Sequence, residues 1–415
     1  MKRRVVITGI GCVSPFGVGI DIFWSCISKG VSGISKISRF DSSKFEVHLA
    51  GEIKHQIPGF SEYDKIFKED VKISFALNAA DQAMKDAGIK NLNPKALLHI
   101  GTSLETIDLQ KIIQNKSTQL KDIVKRSLKN GARPLQMPLD TACELIETVY
   151  GSPGLKISNV SACAASTQAI GHAFRRIRDG SYDMALCGGF DSMINPLGIG
   201  GFQLLGALNT NNVLGERACR PFDAARSGTV IGEGAAMFVL EPLDQAIKMN
   251  KSIYAEIKGY GTSLDAYNLS APDPEGAGGE QAVRNALNDA NIKANKIDAV
   301  SAHGTGTYQN DKVEATMLRR IFGDKWKSIP VISTKSLVGH LIGAAGAIET
   351  AACIQGFVQH ILHPNGSLQK TGDGCELDHI VDCPREFNGT NILKNSFGFG
   401  GQNAAIILGN AKHGN

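Results

Sequence analysis

Short runs of β-branched and apolar residues alternate along the chain with stretches whose apolar positions recur at helical spacing. The runs at 5–8, 97–101, 156–160, 184–187, 236–240, 253–260, 299–302, 331–333 and 404–408 predict strands. The stretches at 73–86, 164–178, 279–289, 313–321 and 344–360 predict helices. Strands that read as near-continuous apolar runs are buried on both faces, so the pattern is that of an α/β chain with covered sheets.

The order of these elements repeats once. VVITGIGCVS at 5–14 is echoed by EIKGYGTSLD at 256–265, and ALNAADQAMKDAG at 76–88 by AVRNALNDAN at 282–291. HIGTS at 99–103 is echoed by SAHGTGT at 301–307, and VSACAASTQAIGHA at 160–173 by STKSLVGHLIGAAGA at 333–347. MFVLEP at 237–242 is echoed by IILGN at 406–410. Five echoes in one order predict two halves of one fold, 1–252 and 253–415, whose corresponding loops surround one cleft. Segments 104–155 and 190–235 have no counterpart and read as insertions.

Composition narrows the class. The 415 residues carry a formal charge of +4, with 42% apolar and 20% charged residues. This balance excludes a disordered chain and a nucleic-acid-binding tail. No apolar run approaches the ~18 residues of a membrane span. The start, MKRRVVITGIGCVSPFGVGI, imitates a secretory leader, but Gly9, Gly11, Ser14, Pro15 and Gly17 interrupt it, and a first buried strand at 5–8 ending in a Gly turn is the better reading. Nine cysteines, odd in number, scattered and without a CxxC, fit a reducing compartment, so a cytoplasmic location is expected. One local charge run stands out: Lys111, Lys116, Lys121, Lys125, Arg126, Lys129 and Arg133 with a single acid, Asp122. It is a solvated helix face or a landing patch for an acidic partner.

Four places could carry chemistry. Cys163 follows a predicted strand and opens a predicted helix, where the positive dipole end lowers a thiol pKa; the alternative is a buried structural thiol. His303 stands in AHGTGT at a strand end, between glycines that allow a tight turn and the hydroxyls of Thr305 and Thr307. His340 lies in KSLVGHLIGAAGA, five residues after Lys335, and under the internal repeat falls a few positions from the point equivalent to Cys163. The repeat therefore brings Cys163 and His340 together from opposite halves. Metal ligation by Cys163, His303 and His340 lacks a fourth ligand at usable spacing, so no metal is expected. The segment NSFGFGGQNA at 395–404 reads as a loop of backbone donors over a site, and it matches no nucleotide motif.

Taken together, SACA, HGTGT, K-S-x-x-GH-x-x-GAAG and NSFGFGG resemble the β-ketoacyl-[acyl carrier protein] synthases, most closely the type II elongating enzymes, over essentially the whole chain. The resemblance implies a thiolase-like fold of two similar halves in five αβαβα layers. It implies decarboxylative condensation of an acyl chain, held on Cys163, with malonyl-acyl carrier protein, in fatty-acid elongation or in a polyketide or aryl-polyene pathway. His303 and His340 would bind the malonyl thioester carbonyl, Lys335 would support the second of them electrostatically, and Glu349 would be a structural acid in the following helix. The amides of Cys163 and Phe399 would form the oxyanion hole, and Phe399 would gate. Thr305, Thr307, Ser270, Phe397 and Gly400 would meet substrate. Lys65, Lys68, Lys125, Arg126 and Lys129 would dock the carrier. The enzyme would hold no cofactor of its own, since phosphopantetheine arrives on the carrier. It would form a homodimer, or a heterodimer with a chain-length partner.

The chain departs from the family pattern at Gln402, Val338, Asn268 and Gly206, where relatives often carry Thr, Thr or Met, His, and a docking Arg. TSLETIDLQ after Gly101 departs too, which puts chain-length selection in doubt. A thiolase would place a second Cys in the C-terminal motif, where Phe397 and Phe399 stand. An initiating synthase would carry Cys-His-Asn, and a non-catalytic chain-length partner would lack Cys163. A papain-like hydrolase would show no internal repeat.

Overall fold

The computed structural model describes residues 2–104, 106–107 and 136–411. The basic run 111–133, with Lys125, Arg126 and Lys129, lies outside the described residues. The principal elements, in chain order, are β1 (Val5–Ser14), α1 (Val71–Asp86), β2 (Ala96–Gly101), α2 (Thr141–Tyr150), β3 (Leu155–Asn159) and α3 (Ala165–Arg178). Then come β4 (Met184–Ser192), α4 (Pro196–Leu204), β5 (Glu233–Pro242), β6 (Ala255–Leu264), α5 (Ala277–Ala290) and β7 (Ala299–Ser301). The last are α6 (Tyr308–Phe322), β8 (Pro330–Ile332), α7 (Ala345–Gln359), β9 (Asp378–His379), β10 (Asn391–Gly398) and β11 (Gln402–Asn410).

The strands run in the order β9-β8-β7-β10-β11-β6-β1-β5-β4-β2-β3. Outward from β1, the pairings are antiparallel to β5, antiparallel to β4, then parallel to β2 and β3. Outward from β6 the same succession runs through β11, β10, β7 and β8. The two sets meet where Val5–Ile7 pairs antiparallel with Ala255–Ile257.

The sequence echo at 5–14 and 256–265 has a packing cause. A Cβ on Gly9 would lie 2.2 Å from the Ala83 carbonyl oxygen of α1, and one on Gly259 would lie 2.4 Å from that of Ala286 in α5. Each glycine lets a helix rest directly on its strand, and both strands slip register at the same place, between Ile7 and Gly9 and between Ile257 and Gly259.

Helices α1 and α2 cover the outer face of the first strand set, and α5 and α6 that of the second. Between the sets lie α3 and α7, which pack on strands of both and on each other. Residues Ala345 to Phe357 of α7 are buried on every side, as a helix enclosed by two sheets must be. The result is five layers, αβαβα, the thiolase-like arrangement expected from the motifs.

Three expectations change. The strand at 5–8 does not end in a Gly turn but continues to Ser14, because its glycines accommodate α1 instead of breaking the ladder. The segment 395–404 is not a loop: Ser396 pairs with Ala404, Phe397 with Asn403 and Gly398 with Gln402, leaving only Phe399–Gly401 as a turn. The helix read at 313–321 begins earlier, at Tyr308, directly after the Thr307 hydroxyl position.

Candidate active site

Cys163 lies in a 3-10 turn, Ala162–Ala164, between β3 and α3. Ala162 has φ 47°, a left-handed conformation that a side chain adopts only when its surroundings impose it. The same turn occurs in the second half at Ile342–Ala344, before α7, where Ile342 has φ 45°. Cys163 therefore corresponds to Gly343, and His340 to Val160. The Gly343 amide is taken by the buried carboxylate of Asp191 at 2.7 Å. Cys163 carries no such cap.

His340 is held by a parallel bridge to Ile231: its amide donates to the Val230 carbonyl at 2.7 Å, and its carbonyl accepts from the Gly232 amide at 2.9 Å. Its Nε2 lies 3.1 Å from Sγ of Cys163. The Ile342 amide donates to its Nδ1 at 3.2 Å. An amide can only donate, so Nδ1 is the acceptor and the ring hydrogen sits on Nε2, facing the sulfur. His303 stands edge-to-face against His340 with ring centroids 5.4 Å apart. Nζ of Lys335 lies 3.3 Å from its Nδ1 and donates to its carbonyl at 2.6 Å. An ammonium also only donates, so His303 carries its hydrogen on Nε2 as well.

Burial, and then the charge of Lys335, holds both imidazoles well below the ordinary histidine pKa. Both are neutral near pH 7. With each Nε2 protonated, and Lys335 fixed beside them, the Nε2–H groups of His303 and His340 suit an anionic reaction centre. The thiol departs from expectation. Burial pushes it up to about 12, against the opposing pull of Lys335 and of the Phe399 amide that donates to the sulfur. The helix end does not outweigh desolvation in so enclosed a position.

Two cavities meet at Cys163 and Phe399. The smaller, about 170 Å³, is lined by His303, His340, Thr305, Thr307, Ser270 and Phe397 among others. The larger, about 820 Å³, is apolar, with Leu104, Leu139, Val160, Met193, Leu197 and Ile342 in its wall. Phe399 and Phe202 border both and stack with centroids 6.0 Å apart. Gly400 stands behind this wall, not in it; its amide donates to the Leu269 carbonyl at 2.6 Å, and its φ of 76° makes the turn. Lys65 and Lys68 are exposed on the helix Asp64–Glu69, and neither lines either cavity.

The departures have structural settings. Gln402 accepts from Gln168 at 3.3 Å, and Gln168 accepts from Ser161, two residues before Cys163, at 2.7 Å. Asn268 accepts from the Ser270 and Ala271 amides at 3.0 and 3.1 Å, closing the turn that carries Ser270. Gly206, with φ 65°, borders the smaller cavity. Val338 is fully buried.

Sequence reasoning missed the buried acids behind the site. Glu314 accepts the amides of His303 and Gly304, each at 2.8 Å, and burial pushes its carboxyl up to about 7. Asp311 accepts the amides of Thr305 and Phe222 at 3.0 and 2.7 Å. Both lie within the helix after HGTGT, on its buried face, which was the available signal. Glu349 pairs with Lys335 and, at 3.0 Å, with Lys394.

Known proteins share this architecture. The family description "Beta-ketoacyl synthase, N-terminal domain" matches residues 2–246, and "Beta-ketoacyl synthase, C-terminal domain" matches 254–369. A Coxiella burnetii 3-oxoacyl-[acyl-carrier-protein] synthase 2 is 38% identical, covering 98% of both chains. The protein of the same name from Staphylococcus aureus strain COL is 36% identical, again covering 98% of both. Among solved structures, a type II polyketide synthase ketosynthase, in complex with its acyl-carrier protein and bound to the hexaketide, matches with TM-score 0.85 and 29% identity over 99% of this chain and all of that one. The ishigamide ketosynthase/chain length factor matches with TM-score 0.84 and 30% identity over 99% of each. With both family descriptions matched across most of its length, and with relatives above one-third identity end to end, this chain belongs to the β-ketoacyl synthase family.

Proposed function

We propose that this chain catalyses decarboxylative condensation of an acyl thioester with malonyl-acyl carrier protein in fatty-acid elongation. The observation that carries the reading is Cys163 Sγ at 3.1 Å from a neutral, Nε2-protonated His340, with His303 alongside, where a small polar cavity meets a large apolar one. The thiol of Cys163 attacks the acyl carbonyl; the carrier's pantetheine thiolate leaves and takes the proton. Malonyl thioester then enters the small cavity. The Nε2–H groups of His303 and His340 hydrogen-bond its carbonyl oxygen. The C–CO2 bond breaks, and its electron pair becomes an enolate on that oxygen. The enolate carbon attacks the acyl-Cys163 carbonyl, whose oxygen is held by the amides of Cys163 and Phe399. Collapse expels the Cys163 thiolate, which takes a proton from solvent to regenerate the thiol, and leaves a β-ketoacyl carrier two carbons longer. Each such amide donor is worth about 3 kcal/mol in the transition state. Neutral imidazoles fit this step because the malonyl carboxylate must leave as CO2, and an imidazolium would pair with it and hold it.

The large apolar cavity supports an acyl-chain site, Thr305, Thr307, Ser270 and Phe397 a pantetheine path with Gly400 turning the chain behind it, and the position of Phe399 between the cavities a gate. Lys335 and Glu349 act from behind His303. Lys65, Lys68, Lys125, Arg126 and Lys129 are proposed to dock the acidic carrier. No cofactor beyond the carrier's phosphopantetheine is proposed. We read the chain as two halves, 1–252 and 253–415, acting as a homodimer. No helix among the described residues is long and apolar enough to cross a membrane, and all nine cysteines are free, which supports a cytoplasmic enzyme. A second reading, a ketosynthase subunit of a polyketide or aryl-polyene pathway with a chain-length partner, is favoured by the similarity to the ishigamide ketosynthase/chain length factor.

Intact-mass spectrometry with acyl-loaded carriers tests the reading. An adduct on the wild type, absent in Cys163→Ala and chased by malonyl carrier to a product two carbons longer, is expected. A folded protein that takes no acyl group from any carrier overturns it. Loading only by aryl or polyene chains would favour the second pathway.

A further inference from the structure

A fully buried lysine is uncommon, because its ammonium loses its hydration and needs partners to replace it. Lys394 is 0% exposed. It lies in β10, beside Ser301 of β7 and Ile406 of β11. Its Nζ is 3.0 Å from Oε2 of Glu349, donates to the Thr167 hydroxyl at 2.8 Å and also donates to Ser396. The other oxygen of Glu349 takes Lys335, whose Nζ reaches His303. One buried carboxylate thus bridges two buried ammonium groups, and the formal charge of the three is +1. A single lysine would neutralise Glu349, so the second cation calls for a role. Its charge is felt at both imidazoles and opposes their protonation.

We propose that Lys394 is a positioning residue for the condensation step: through its ion pair with Oε2 of Glu349 it biases the carboxylate so that Oε1 meets Lys335, which keeps Nδ1 of His303 an acceptor and its Nε2–H pointed at the nascent enolate. The inference rests on the condensing reading above. Lys394 lies behind Glu349 and does not touch the thiol, so acyl loading of Cys163 does not depend on it.

The test separates the two half-reactions of the intact protein by mass spectrometry. In Lys394→Met, acyl loading of Cys163 stays within about twofold, while the single-turnover condensation with malonyl carrier falls at least about tenfold. The condensation that remains acquires an acid limb at higher pH than the wild type, since loss of the cation lets His303 protonate more readily. Equal losses in both half-reactions, or no loss in either, overturn the proposal. A wild type that loads but never condenses overturns the condensing reading instead. Should Lys394→Met not fold, the wild type decides. Burial and the charge of Lys335 lower Lys394 below its ordinary value, so condensation declines on the alkaline side while loading does not, and superposed profiles sink the idea.

Discussion

The Ile342 amide donates to Nδ1 of His340 at 3.2 Å, and that one bond decides which nitrogen faces Cys163. It exists because Ile342 is turned into a left-handed conformation, the same distortion that places Cys163 after Ala162 in the other half. A duplicated turn thus serves two purposes: in one copy it presents a thiol, in the other an amide that fixes a tautomer. Asp191 caps Gly343 at 2.7 Å and so fills the second turn's amide position, whereas the equivalent amide of Cys163 has no such cap.

Neutral imidazoles predict an unusual acid side. Both histidines sit well below the ordinary value of about 6.5. Condensation should stay level as pH falls through 6.5 and decline only in more acid solution. A rate profile on pre-acylated enzyme, with malonyl carrier in excess, checks this; a half-maximal loss near pH 6.5 contradicts it. Stability carries the matching sign. The unfolded chain binds these protons below about 6.5 and the folded one does not, so these two groups make stability rise with pH up to that point.

Alkylation reports the thiol. With Cys163 pushed up to about 12, the thiolate fraction is small at neutral pH. Carboxamidomethylation of Cys163, followed by mass, should quicken about tenfold per unit between pH 7 and 10. A plateau beginning near pH 7 would instead mean that the helix end and the histidine donor overcome burial.

Much of this was legible in advance, and the residues say why. The five echoed segments mark strands and turns that recur because the same helix-on-strand contact recurs, as at Gly9 and Gly259. Cys163, His303 and His340 were visible because small residues crowd each of them. The buried ions beyond Lys335 and Glu349 were not. Lys394 sits in an apolar strand and Glu314 in an amphipathic helix, and a linear sequence does not say which charged residue turns inward to meet its partners. The turn at Phe399–Gly401 looks longer in the sequence than it is, because glycine hides the alternation that marks a strand.

Glycine contact gives a stability test independent of catalysis. A Cβ on Gly11 would lie 1.9 Å from the Ala79 carbonyl oxygen, backbone that cannot swing aside. Gly11→Ala should destabilise by about 2–3 kcal/mol or abolish folding, whereas Lys85→Ala on the exposed face of the same helix should stay within about 0.5 kcal/mol. Denaturant unfolding of the two variants compares them directly, and equal midpoints would refute the close approach.

Glu314 offers a separation of geometry from charge. It binds two consecutive amides, those of His303 and Gly304, with its two oxygens. Glu314→Gln keeps the size but turns an NH2 group against one of those amides. The cost of the unsatisfied buried pair is about 1–3 kcal/mol. Condensation should fall by about ten- to a hundredfold as His303 shifts, with acyl loading less affected. Variant kinetics of each half-reaction check this; a variant with unchanged condensation would remove Glu314 from the support of His303.

The larger cavity predicts how chain length is set. Met193 is buried in its wall, and no charged residue lines it among the described residues. An acyl chain on Cys163 would gain by filling this space at about 0.8 kcal/mol per buried CH2 group, so the longest chain that fits should load best. Met193→Trp takes up part of that volume. The optimum should then shift to a shorter chain, while the shortest chains, which do not reach the wall, load as before. Competition among carriers bearing saturated chains of graded length, read as the mass of the adduct on Cys163, measures the shift. If the optimum stays where it was and all chains slow together, the cavity does not hold the acyl group. If the optimum moves down and short chains keep their rate, Met193 marks the wall that the chain meets.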